Sequence, residues 1–278
     1  AKALRDGRTA YTAALGLPAL REAIAAHYFS ALSIKTSASN VAVTTGGSGG
    51  LLLTMALYVN PGDEFLVPDP GYPAYRHMVR AFEGRARALR LSAAADFQPT
   101  LAQVRAAWGR RTRGLILGSP SNPTGTLIAP AELQAIARFV ASRRGVLVID
   151  EIYQGLVYGK PPSTALGLPG EVVVINSFSK YFCMTGWRLG WVVLPQKRVR
   201  DFEKMAQHLQ ICAPAVAQHC TITYVTPGRL GMRLLAEAQE RQRSGTDVVA
   251  GYIETHKRPE TDALKQGLEE LPPRWVEY

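Results

Sequence analysis

Lys180 is the residue in this sequence best placed to act as a nucleophile. It ends the stretch Ser177-Phe178-Ser179-Lys180, which closes an apolar run, and Tyr181 and Phe182 follow it. An isolated lysine is usually a solvated surface residue, but aromatic flanks disfavour the ammonium form, and a neutral amine can attack an aldehyde to give an imine. A carboxylate closes another apolar run, in Val148-Ile149-Asp150-Glu151-Ile152-Tyr153. Burying Asp150 is unfavourable unless a cation meets it, although as an isolated feature it reads equally as a helix cap. Thr45-Gly46-Gly47-Ser48-Gly49-Gly50 leads into a helix, where backbone N–H groups and the helix dipole favour a phosphate. It is neither a dinucleotide fingerprint nor a P-loop, because no Gly-Lys-Ser/Thr follows. Asn122 stands in the proline-stiffened loop Ser119-Pro120-Ser121-Asn122-Pro123-Thr124-Gly125, and Tyr72 in Asp69-Pro70-Gly71-Tyr72-Pro73-Ala74-Tyr75, where a packed core tyrosine is the ordinary alternative. Arg188, shortly after Lys180, would by itself read as a salt-bridge partner.

These residues share a position relative to the elements that carry them. Short runs rich in Val, Ile and Leu alternate with helical patterns, as strands buried on both faces of a parallel sheet do. The runs are Val41–Thr45, Glu64–Asp69, Arg85–Ser92, Arg113–Ser119, Gly145–Glu151, Glu171–Ser177 and Gly190–Leu194. Helices are expected at Ala19–Phe29, Gly49–Val59, Tyr72–Phe82, Leu101–Trp108 and Pro130–Arg143. The fold class is therefore α/β, a seven-stranded, mostly parallel sheet flanked by helices. The Phe178–Trp187 connection is too short for a helical crossover, so the seventh strand should run antiparallel. In such sheets ligands bind beyond the carboxyl ends of the strands, where the residues above cluster.

Composition narrows the function classes. No window approaches the roughly 20 apolar residues of a membrane span, and no signal peptide opens the chain, so a soluble cytoplasmic protein is expected. Cys183, Cys212 and Cys220 make no disulfide framework, and no Cys/His cluster has zinc-ligand spacing. The 32 Lys and Arg against 22 Asp and Glu give a net charge of +10. Those basic residues are scattered, as in Arg110, Arg111, Arg113, Arg143 and Arg144, without aromatic interleaving, which argues against nucleic-acid binding.

Taken in order from Tyr11 to Arg188, these segments resemble the class I/II aminotransferases of the type I pyridoxal-phosphate fold. The resemblance implies that Lys180 holds pyridoxal 5'-phosphate in a Schiff base and that Asp150 pairs with the ring nitrogen. It implies further that Asn122 and Tyr153 hydrogen-bond the phenolic oxygen, that Tyr72 stacks on the ring, and that Ser48, Gly49, Ser177 and Arg188 hold the phosphate. Tyr11, in Tyr11-Thr12-Ala13-Ala14-Leu15-Gly16-Leu17-Pro18, matches the tyrosine that family members extend to a partner's phosphate, so a homodimer is implied. The implied activity is transfer of an amino group between an L-amino acid and a 2-oxo acid. A carbon–sulfur β-lyase or a synthase on the same scaffold remains an alternative, as does the aminotransferase-like effector domain of a transcription regulator.

Two features depart from the family. Cys183 stands where glycine or a smaller residue is usual. No convincing counterpart of the family's carboxylate-binding arginine appears among Arg258, Arg274 and their neighbours. Residues 198–245 read as largely helical, with a break near Thr226-Pro227-Gly228. The expected organisation is a cofactor-binding large domain over residues 1–235, including an interdomain helix. Residues 236–278 would then begin a smaller α+β domain that is cut short.

Overall fold

The computed structural model describes residues 2–157, 159 and 163–225. All lie in the first of two compact units, Ala1–Met232; the second is Arg233–Tyr278. Residues 226–278, with the expected break at Thr226-Pro227-Gly228 and the expected start of a small domain, lie outside the described residues.

The strands are β1 (Val41–Thr44), β2 (Glu64–Asp69), β3 (Arg85–Arg90), β4 (Thr112–Gly118), β5 (Val146–Asp150), β6 (Glu171–Ser177) and β7 (Gly190–Val193). They form one sheet in the order β1-β7-β6-β5-β4-β2-β3. β7 pairs antiparallel with both β1 and β6, and the other pairings are parallel, as the short connection before β7 required. Every residue of β1, β5 and β7 is buried, which accounts for runs without polar alternation. β3 lies at the sheet edge and exposes Arg85, Arg87 and Arg90, charges that discourage pairing with another sheet.

The helices are α1 (Lys2–Arg5), α2 (Pro18–Leu32), α3 (Gly46–Tyr58), α4 (Ala74–Ala81), α5 (Leu101–Ala107), α6 (Pro130–Ser142), α7 (Gln196–Leu209) and α8 (Ala215–Val225). α2 buries Leu20, Ala23, Ile24 and Tyr28, a one-sided helical spacing. α6 starts at a proline, where a missing N–H leaves no bond unmade. Helix boundaries differ from the sequence reading by up to three residues, and α2 runs on to Leu32, past the expected Phe29. α3 begins three residues early, at Gly46, whose φ of +74° makes the turn out of β1. α4 begins two residues late, after Pro73. The helical stretch after β7 is also interrupted between α7 and α8, where Pro214 stands.

Phe178, Phe182 and Trp191 pack together beneath the loop between β6 and β7. The Phe178 and Trp191 rings are 4.7 Å apart, and the Trp191 indole N–H donates to the buried Tyr28 hydroxyl at 3.0 Å. This corrects the expected surroundings of Lys180. Phe178 and Phe182 anchor the loop to the core; neither lines the cavity that Lys180 faces.

α3 also approaches β7 closely. A β-carbon on Gly190 would lie 2.5 Å from the Gly46 carbonyl carbon, 2.6 Å from the Gly47 nitrogen and 2.8 Å from the Asn176 carbonyl oxygen. All three are backbone atoms that cannot swing aside. Gly190→Ala should therefore destabilise the fold by about 1–3 kcal/mol, as overpacking does. The urea midpoint measures this, and an unchanged midpoint would mean that the contact yields.

Candidate active site

A cavity of about 230 Å³ opens beyond the carboxyl ends of the strands. Seven of the expected site residues line it: Ser48, Tyr72, Asn122, Asp150, Tyr153, Lys180 and Arg188. Three others, Gly49, Ser177 and Tyr11, do not.

The Asp150 side chain ends β5, the middle strand of the sheet, and is 5% exposed. It is no helix cap. Its Oδ1 accepts the Ile152 N–H at 3.1 Å and its Oδ2 accepts the Tyr75 hydroxyl at 2.9 Å. Burial pushes its pKa up to about 6, against the opposing pull of those two hydrogen bonds. A buried carboxylate served only by neutral donors still lacks a cation, and a protonated ring nitrogen in the cavity would supply one.

The opposite chemistry gathers at the start of α3. Gly47 and Ser48 lie in its first turn, whose N–H groups carry partial positive charge. Arg188 adds a full charge beside them: a β-carbon on Gly46 would fall 2.5 Å from its Nη2. Its Nη1 donates to the Thr185 carbonyl at 2.9 Å and approaches the Ser179 hydroxyl at 3.5 Å. A helix terminus, a guanidinium and neutral hydroxyls suit a phosphate dianion.

Ser177 stands one step behind this cluster. Its hydroxyl lies 3.1 Å from the Leu189 carbonyl and 2.9 Å from the Ser179 hydroxyl, and it accepts the Ser179 N–H at 3.0 Å. Ser179 is the hydroxyl that faces the cavity, together with Thr185. No strand periodicity separates Ser179 from Ser177, since residues two apart on a strand share a face. Gly49 is buried within α3, where a β-carbon would strike the Thr45 hydroxyl. Tyr11 is 79% exposed.

Lys180 Nζ lies 5.8 Å from the centre of the Tyr153 ring. The phenol of Tyr153 has a raised pKa, chiefly from burial and then from Asp150 and Tyr72. Cys183 has φ +56°, a conformation in which a β-carbon costs about 1–2 kcal/mol, so the departure from glycine carries strain.

The family model described as aminotransferase class I and II matches residues 2–251. This chain belongs to that family. The valine–pyruvate aminotransferase of Mycobacterium tuberculosis is 40% identical over 229 residues, covering 82% of this chain and 59% of the relative. A putative aminotransferase of Bacillus subtilis is 34% identical, covering 87% and 64%. The crystal structure of an aminotransferase from Mycobacterium tuberculosis superposes with a TM-score of 0.80 at 38% identity, over 87% of this chain and 62% of that one. Thermus thermophilus aspartate aminotransferase with maleate gives 0.81 at 29% identity, over 91% and 67%. The chain thus spans about three fifths of the length of the first of these curated relatives. Members of the family use pyridoxal phosphate, and the polarity of the cavity fits that group, with an anion anchor at one end and a buried carboxylate at the other. A second model, the osmosensitive K+ channel His kinase sensor domain, matches residues 226–278.

Among the described residues no helix is long and apolar enough to cross a membrane, and no cluster of three His, Cys, Asp or Glu is placed to hold a metal.

Besides Ser179 and Thr185, sequence reasoning passed over Tyr75 and Glu151. Glu151 is 1% exposed and accepts from the Ala165 N–H (2.6 Å), the Thr164 hydroxyl (2.9 Å) and the Gln154 amide (2.8 Å), tying the segment after β5 to residues 164–165. Burial raises its pKa from 4.5 to about 8 despite those donors. Between those values the folded protein keeps a proton that the unfolded chain has released, so stability should fall as pH rises from about 4.5 to 8. Asp150 acts in the same direction between 3.8 and about 6. Glu151→Gln, uncharged in both states, should flatten the fall above pH 6. Urea midpoints at pH 6 and pH 8.5 read this directly, and an equal slope in both proteins would refute it.

Proposed function

We propose that this chain carries the cofactor-binding half of a pyridoxal-phosphate-dependent aminotransferase. The enzyme moves an amino group between an L-amino acid and a 2-oxo acid in two half-reactions at one site, a ping-pong cycle. The observation that carries this reading is the convergence on one cavity of an amine, Lys180, a buried carboxylate, Asp150, and an anion anchor, Ser48, Ser179 and Arg188. Relatives named as valine–pyruvate and aspartate aminotransferases favour transfer over β-elimination on the same scaffold.

When bound, the cofactor supplies an aldehyde that joins covalently to amines and a ring that accepts electrons released at the substrate's Cα. Lys180 Nζ would make the covalent attachment and, once displaced by the amino acid's own nitrogen, would be the base that takes the proton from Cα. Asp150 would hold the proton on the ring nitrogen. Tyr153 and Asn122 would donate to the phenolic oxygen, and Tyr72 would cover a ring face. The first turn of α3 with Ser48, Ser179 and Arg188 would grip the phosphate, while Gly49 would keep that turn compact and Ser177 would steady Ser179.

Tyr11 is read as serving the partner's phosphate in a homodimer with two-fold symmetry. Its exposure supports this, because a ring 79% open to solvent has no role in its own core. A cytoplasmic location is read from the cysteine usage, three residues that make no disulfide framework.

Residues 1–235 are read as the large domain. For residues 236–278 two readings stand: the aminotransferase match reaches residue 251 and supports the start of a small domain, whereas the sensor-domain match spans all of them and supports a second. On the second, the arginine for the substrate's α-carboxylate is not among Arg258 and Arg274.

Three experiments test these readings. Borohydride reduction of the protein loaded with pyridoxal phosphate should leave one adduct, at Lys180, and a mapped adduct on any other lysine would overturn the assignment. Arg188→Ala should weaken cofactor retention at least tenfold, while Asp150→Ala should spare retention and remove the amino-acid-driven absorbance change. Arg258→Ala and Arg274→Ala should leave the amino-acid dependence of that change as it is in the parent chain. A tenfold rise in the amino-acid concentration needed would place the arginine in the 226–278 segment.

A further inference from the structure

Tyr75 is the second residue of α4, is 4% exposed, and directs its hydroxyl to Asp150 Oδ2 at 2.9 Å. Nothing in the proposed chemistry requires a hydroxyl there. Three observations indicate that the contact is built rather than incidental. The end of β4 is left open for it, since a β-carbon on Gly118 would lie 3.2 Å from the Tyr75 oxygen. Asp150 Oδ1 is held independently by the Ile152 N–H, so the two bonds together fix the plane of the carboxylate. The Tyr72 ring, which lines the cavity, meets the Tyr75 ring edge to face at 5.4 Å and 86°. The residue expected to cover the cofactor ring and the carboxylate expected at the ring nitrogen are thus mechanically linked through one phenol.

We propose that Tyr75 is a positioning residue that holds the Asp150 carboxylate in plane and in its charged form for a protonated ring nitrogen. It acts through Asp150 and does not line up with any reacting atom of its own. Its phenol stays protonated across the working pH range, because burial and then the neighbouring carboxylate raise its pKa well above the ordinary value. It therefore remains a donor wherever Asp150 is charged. Removing a donor that favours the charged form raises a carboxyl pKa. Asp150 should then take up its proton, and release the ring nitrogen, at a higher pH.

The inference rests on the cavity being a pyridoxal-phosphate site, and the test separates the two. The full chain and its Tyr75→Phe variant are loaded with pyridoxal phosphate, loading is measured as borohydride-reduced adduct on Lys180, and the absorbance of the bound cofactor is titrated from pH 4.5 to 9. Tyr75→Phe keeps the ring and its packing on Tyr72. The other ionisable groups facing Asp150 also remain: the Tyr72 and Tyr153 phenols, Lys180 and Arg188 around the cavity, and Glu151 beside it. At equal loading, the acid-side midpoint should move upward by roughly 0.5 to 1 pH unit, the scale of one neutral hydrogen bond. Gly118→Ala, which crowds the hydroxyl without deleting it, should shift the midpoint in the same direction and serves if the first variant folds poorly. Coincident titrations of parent and variants at equal loading would overturn the role of Tyr75. Absence of the Lys180 adduct from the parent chain would overturn the cofactor site and this inference together.

Discussion

The carboxylate of Asp150 is buried at the end of the middle strand, and the site is organised around keeping it there. β4 and β6 flank β5 on both sides, so the side chain is screened by the sheet that carries it. Its two hydrogen bonds come from uncharged donors, which do not offset burial, and its pKa rises to about 6. Its charged form is therefore poorly compensated by the protein alone. A positive charge brought into the cavity at that end gains from the arrangement without any reorganisation of the protein, which is how a preorganised site differs from solvent.

The other end of the cavity has the complementary sign, and the antiparallel β7 explains why. Ser177 at the end of β6 is paired in register with Gly190 at the start of β7. The whole segment between them must then stand at the carboxyl rim, which brings Ser179, Lys180, Thr185 and Arg188 to the same opening. A parallel seventh strand would begin at the opposite edge and carry Arg188 away. The close approach of Gly190 to Gly46 and Gly47 then sets the start of α3 against this loop, so helix terminus and guanidinium act on one volume. A ligand negative at one end and positive at the other is oriented by these fields before any covalent contact forms.

Much of this was legible in the sequence because the signals are local. Fully buried strands write themselves as unbroken apolar runs, and all seven strands were located to within two residues at either end. Asp150, Lys180 and Arg188 stood out because charges at strand ends conflict with their neighbours. What escaped depends on three-dimensional register. Ser177 and Ser179 are both small hydroxyls near a strand end, and only the turn after β6 decides that Ser179 faces the cavity. Phe178 and Phe182 looked like the walls around Lys180, yet they pack on Trp191, a partner that the return of β7 brings near. Tyr75 meets Asp150 across 75 residues of sequence, a pairing that no periodicity encodes.

The described residues also show a division of labour in the charges. Around the cavity the cations are Lys180 and Arg188, one suited to covalent attachment and the other set beside the helix terminus. An amino acid brings a further carboxylate, and gripping it takes a cation that neither can give without leaving its place. On the proposed reading, the loops of one sheet supply every cofactor contact except the one from the partner's Tyr11, whereas the cation for the substrate's carboxylate is not among them. The two family matches overlap only over residues 226–251, and the compact unit that holds the cavity closes at Met232, inside that overlap. On the same reading, the groups of this chain that would recognise pyridoxal phosphate all precede residue 226. Amino-acid recognition would need one more positive charge at the rim than Lys180 and Arg188 provide.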